Sequence, residues 1–133
     1  MGSLLTCVLI EFFRARDKSK TLFAKLVRDN ALLFISTVVL FEILVGLNAS
    51  NRESCWELLR KVVCLPFDER TAEIAADLSR TLRKNRIQVE SSNLFIVATA
   101  LAHDLKLATL NRKHFENIDG LRLIDSDKSH ADP

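Results

Sequence analysis

Glu42 is the only charge in the run Val38-Val39-Leu40-Phe41-Glu42-Ile43-Leu44-Val45. A carboxylate among apolar neighbours is costly unless it meets a cation, hydrogen-bond donors or water, so it marks a structural pair, a wet helix stripe or a reactive site. Cations gather in two places. Arg80, Arg83, Lys84 and Arg86 fall in one stretch, and Arg112 and Lys113 directly follow Asn111. Both groups suit phosphate contact; the first suits a plain solvated helix face better. Glu11, Glu90 and Glu116 read as solvated charges. The phenylalanines sit in core-like runs, which leaves no evident stacking platform for single-stranded nucleic acid. Cys7, Cys55 and Cys64 lack paired spacing and read as reduced, packed thiols of a cytoplasmic protein, not as a disulfide frame or zinc knuckle.

The elements that position these residues must fit in one domain. A chain of 133 residues, 48% hydrophobic, is enough for one core and too short for two. A net charge of +2 argues against a protein that coats polyanions by bulk charge. Glu11 and Glu42 interrupt the apolar runs before they reach membrane-spanning length, so neither insertion nor secretion is expected. Met1-Gly2-Ser3 reads as an appended leader. Residues 125–133 carry three acids and one base with little apolar to bury, and are expected to be a disordered tail on a domain spanning 1–124.

Within that domain, short apolar runs alternate with amphipathic stretches, the pattern of a parallel sheet wrapped by helices. Leu4–Leu9, Leu32–Ile35, Leu105–Leu110 and Leu121–Ile124 are the strand candidates. Helical spacing follows the first, through Phe12, Phe23, Leu26 and Val27. Ser36 or Thr37 is placed to cap a helix that leaves through a left-handed Gly46. Ser50-x-x-Glu53 is a capping-box pattern opening a helix through Trp56 and Leu59. Asp68 caps a helix carrying Ala72, Ala75, Leu78 and Leu82 on one face; Ser91 or Ser92 caps another from Asn93 to about His103; Asn111 caps a short one over 112–117.

Four blocks occur in order: Thr6-Cys7-Val8-Leu9-Ile10; Ser36 with Glu42-Ile43-Leu44-x-Gly46; Leu94-Phe95-Ile96-Val97-Ala98-Thr99-Ala100-Leu101; and Leu107-Ala108-Thr109-Leu110-Asn111-x-x-His114-Phe115. Together, from Leu4 to Ile124, they resemble a PIN domain, and closely the VapC-type toxins of type II toxin-antitoxin pairs. The resemblance implies an α/β, three-layer PIN-like (Rossmann-like) fold, a central parallel sheet flanked by helices. It implies a metal-dependent endoribonuclease in which clustered carboxylates hold Mg²⁺ or Mn²⁺ to activate water and neutralise the phosphate. It also implies a cognate antitoxin protein as partner, RNA as substrate, and a homodimer or toxin-antitoxin hetero-oligomer in the cytoplasm.

Carried over residue by residue, the resemblance assigns catalysis to Thr6, Glu42 and Asn93, substrate contact to Thr109, Asn111, Arg112 and Lys113, and metal contact to Glu42 with Asn93 and His114. Three of the four positions where the family has an acid lack one. Leu5 stands before Thr6, by substitution or because one residue is missing; Asn93 and His114 stand at the third and fourth positions; Glu42 alone matches. A carboxylate about 4 Å from a divalent ion gains roughly 8 kcal/mol at an effective dielectric near 20, so losing even two should weaken magnesium binding severely. The sequence therefore predicts impaired cleavage, with a non-catalytic antitoxin-binding protein as the alternative.

Overall fold

The computed structural model describes residues 2–29, 32–47 and 49–124. The expected acidic tail lies outside them. The described chain runs β1 (Gly2–Leu5), α1 (Val8–Arg14), a 3₁₀ turn (Lys18–Lys20), α2 (Leu22–Arg28), β2 (Leu32–Ser36), α3 (Thr37–Gly46), α4 (Ala49–Leu59), β3 (Val63–Leu65), α5 (Glu69–Lys84), α6 (Ser91–Ala102), β4 (Lys106–Ala108) and a second 3₁₀ turn (Arg112–His114). The strands form one parallel sheet in the order β3-β2-β1-β4. This is the expected α/β architecture.

β1 lies between two neighbours and is buried along its whole length, which is why it reads as apolar without alternation. Leu4, Leu5, Val8 and Leu9 have no exposed surface and join Leu107, Ile35 and Val97 in the core. Each such side chain contributes about 1.5–3 kcal/mol by leaving water. Gly2 and Ser3, which the sequence reads as part of a leader, are both buried in β1, and a Cβ on Gly2 would overlap the Phe34 ring.

Several local expectations are corrected. The chain leaves β1 at Leu5, and Val8 and Leu9 open α1; a continuous apolar run fits a buried strand or a buried helix equally well. Leu121–Ile124 contributes a single bridge, Leu107 to Leu123, instead of a strand. Gly46 is the last residue of α3 and is not among the positive-φ residues. α4 begins at Ala49, so Ser50 lies in its first turn, and α6 begins at Ser91 behind Glu90. Asn111 precedes only a 3₁₀ turn and gives it no side-chain cap. The caps at Ser36 and Asp68 are as expected: the Val39 N–H donates to Ser36 Oγ at 3.1 Å, and the Thr71 N–H to Asp68 Oδ1 at 2.9 Å. No described helix is long and apolar enough to cross a membrane.

Candidate functional site

The chain steps outward from β1 through β2 to β3, then returns to the other side of β1 as β4. Such a reversal opens a crevice beyond the carboxyl ends of the strands, where open α/β sheets take their ligands. Here the crevice is a cleft of about 280 Å³. Thr6 and Cys7 enter it from beyond the end of β1, Ile10 from α1, Val39 and Glu42 from α3, Glu90, Ser92, Asn93 and Ile96 from the start of α6, and Thr109, Asn111, His114 and Phe115 from beyond β4.

Thr6 closes the floor. Its hydroxyl donates to the Ala108 carbonyl oxygen at 3.0 Å, and its N–H donates to the same oxygen at 3.1 Å. Asn111 is held in two ways. Its N–H donates to Thr109 Oγ1 at 3.1 Å, and its side-chain amide donates to Cys7 Sγ at 3.8 Å, tying the loop after β4 to the loop after β1. Asn93, in the first turn of α6, is half-buried. The positive end of that helix dipole faces the cleft and favours an anion there.

Thr6, Glu42, Asn93, Thr109, Asn111 and His114, scattered over the sequence, thus share one cleft. Two of the candidates fall elsewhere. The Arg112 guanidinium donates to the Ile124 carbonyl oxygen at 2.7 Å and holds the end of the described chain, and Lys113 lines an adjoining depression. Leu5 does not reach the cleft; it is wholly buried in the core. Glu42 is exposed, as are Phe41 and Val45 beside it, so the apolar run that singled it out is not a buried surface on all sides.

Of the three glutamates expected to be merely solvated, Glu90 lines the cleft. Its position at the N-cap of α6, three residues before Asn93, is the signal that could have found it. Glu11 instead supports the fold, since its carboxylate accepts the Leu22 N–H at 3.1 Å and so anchors the start of α2.

Among the described residues, no three His, Cys, Asp or Glu side chains converge closely enough to hold a metal ion. The cleft offers the carboxylates of Glu42 and Glu90, the amides of Asn93 and Asn111, and the His114 imidazole. Magnesium prefers a compact shell of oxygens with negative charge, and this donor set does not fit it.

Comparison with known proteins agrees with the fold. The PIN domain family model matches residues 6–121. Ribonuclease VapC1 of Rickettsia felis is 33% identical over 99 residues, covering 68% of this chain and 74% of that protein. Ribonuclease VapC10 of Mycobacterium tuberculosis is 34% identical over 95 residues, covering 71% of each. Among solved structures, VapBC2 of Rickettsia felis, bound to a promoter DNA fragment, superimposes with a TM-score of 0.81 at 22% identity, over 92% of this chain and 97% of that one. VapBC-1 of nontypeable Haemophilus influenzae gives 0.78 at 23% identity, over 92% and 96%. With the motif blocks in order and their residues gathered at the switch point of the expected sheet, the chain belongs to the PIN-domain family, among its VapC-type members.

Proposed function

We propose that this protein is a VapC-type toxin of a toxin-antitoxin pair whose cleft binds RNA but whose metal-dependent cleavage of phosphodiester bonds is severely reduced. The observation that carries this reading is the company Glu42 keeps. It shares the switch-point cleft with Thr6, Asn93, Asn111 and His114, the positions the family uses for chemistry, yet only one of the four acids is retained. In this reading Glu42 and Asn93 are the remnants of the metal shell, with His114 at its edge, and Thr6, Thr109 and Asn111 position the substrate. Mg²⁺ or Mn²⁺ is the cofactor of the ancestral reaction, where it would activate water and offset phosphate charge.

An antitoxin partner and assembly into a homodimer or a toxin-antitoxin hetero-oligomer follow from the same reading, supported by the VapBC complexes of similar fold. A cytoplasmic location fits those partners. The alternative, a protein that binds the antitoxin without cleaving anything, draws support from the missing three-ligand group among the described residues.

Incubation of structured RNAs with the purified protein and Mg²⁺ or Mn²⁺ tests the proposal. It should be run beside a version carrying Asn93→Asp, His114→Asp and an aspartate inserted between Leu5 and Thr6. The repaired protein is expected to cleave and the native one to be slow or inert. Equal metal-dependent cleavage by both would refute impairment, and cleavage by neither would favour the purely binding alternative.

A further inference from the structure

The cleft does not end at His114. Across Glu90, Asn93 and His114 it continues into a depression of about 250 Å³ that adds Gln88, Lys113 and Asn117. That depression shares the wall from Ile87 to Glu90 with a third, of about 750 Å³, along the carboxyl end of α5, where Arg83 and Arg86 stand. Arg83, Arg86 and Lys113 are exposed, and none is ion-paired among the described residues, whereas Arg80 is paired with Asp77.

Cations at a helix carboxyl end complement its dipole, which accounts for Arg83 without any ligand. It favours the charge of Arg86 as well, but does not explain the backbone conformation that carries it. The N–H groups of Arg86 and Ile87 donate back to the carbonyls of Arg83 and Leu82 at 3.1 and 2.8 Å, a Schellman closure that puts Arg86 at φ 60. Glycine takes that left-handed position most cheaply, so an arginine there carries a backbone cost that glycine would not. A strained residue with an unpaired charge, on the wall of a groove leading to the cleft, points to a ligand.

We propose that the cleft is one end of a track for single-stranded RNA, along which Arg83, Arg86 and Lys113 hold the phosphate backbone. The proposal rests on the reading of the cleft as an RNA site. Glu90, common to all three depressions and the one acid on the walls of the outer two, is the repulsive point at the junction. Binding along the track is mainly electrostatic and tolerant of sequence, since among the described residues no Phe, Tyr or Trp lines its outer part and His114 is the one ring there.

Fluorescence anisotropy with a fluorescein-labelled, mixed-sequence single-stranded RNA, in EDTA to suppress cleavage, tests this with the full chain. The double variant Arg83→Ala/Arg86→Ala should bind about tenfold more weakly at low salt, with the slope of log affinity against log salt reduced by about 1.4. Arg52→Ala/Arg60→Ala, which removes equal charge beside a separate depression on α4, should change both much less. Arg86→Gly should melt no lower than the parent and still lose affinity, and Glu90→Gln should bind more tightly.

If Arg83→Ala/Arg86→Ala binds like its control while Asn111→Ala, in the cleft, weakens binding, the track is refuted and the cleft reading stands. If the native protein shows no salt-dependent RNA binding, both fall.

Discussion

The Ala108 carbonyl oxygen accepts two hydrogen bonds from Thr6, one from its hydroxyl at 3.0 Å and one from its N–H at 3.1 Å, locking together the carboxyl ends of β1 and β4 where the sheet reverses direction. Both residues are buried, and water cannot replace the hydroxyl bond. Thr6→Val keeps the shape and removes the donor. It is expected to cost about 1 kcal/mol, seen as a lower urea midpoint with an unchanged m-value. Thr6→Ser keeps the donor and should hold the midpoint closer to that of the native protein. An unaltered midpoint in Thr6→Val would mean that the backbone bond alone holds the two ends.

The family resemblance expects an acid immediately before Thr6, where this chain has Leu5 by substitution or because one residue is missing, and the Leu5 side chain is wholly inside the core, with Ile35 and Ala108 in register on either side. Leu5→Ala should cost about 2–5 kcal/mol through the cavity it leaves. Leu5→Asp forfeits the same packing and also buries an unpaired carboxylate, enough to exhaust a typical stability of about 5–15 kcal/mol. It should lose cooperative unfolding and near-ultraviolet circular dichroism, while an aspartate inserted after Leu5 should leave a cooperatively folded protein. A folded Leu5→Asp variant would show that position 5 can face the cleft.

The proposed loss of acids from the cleft makes a separate prediction through metal-dependent stability. A ligand that binds only the folded state stabilises it by about 2.7 kcal/mol at a hundred times its dissociation constant, a Tm rise of roughly 10 °C for a domain of this size. The native protein should show little change on titration with Mg²⁺. The variant with Asp at 93 and 114 and an aspartate inserted after Leu5 should melt lower than the native protein without metal, because its carboxylates repel, and gain several degrees with it. A comparable Mg²⁺-dependent rise in the native protein would show that Glu42, Glu90 and their neutral neighbours already hold the ion.

How much of this was legible in the sequence depended on whether the signal was local. Ser36 and Asp68 were readable as caps because one side chain and an amide three residues on suffice. β3 was missed because three residues between Val62 and Pro66 carry too little pattern to set against the helix before them. Glu42 stands out in the sequence on a premise the structure corrects, although it does line the cleft. The run around it is apolar, but Phe41 and Val45 are exposed on α3, so hydrophobicity alone could not tell a buried helix from one with an open apolar side. Glu90 reads as a solvated charge and is indeed exposed; its place on the cleft wall is legible only through its position at the N-cap of α6, three residues before Asn93.

Asp68 sets one limb of the pH dependence. Hydrogen bonds from the backbone N–H and hydroxyl of Thr71, the larger influences, hold its carboxyl below the ordinary 3.8, with a smaller contribution from His103. Because the folded value is depressed, its contribution to stability is fully present above the unfolded value and is lost as pH falls through the folded one. Stability should therefore decline from about pH 4 downward as the cap of α5 protonates. Asp68→Asn keeps a capping oxygen but cannot titrate, so its urea midpoint should fall less between pH 5 and pH 3 than that of the native protein, by an amount kept small because the carboxylate is solvent-exposed. Identical acid limbs in the two proteins would assign the acid sensitivity to other carboxylates, Asp17 first, whose own carboxyl is held down by the hydroxyl and N–H of Ser19.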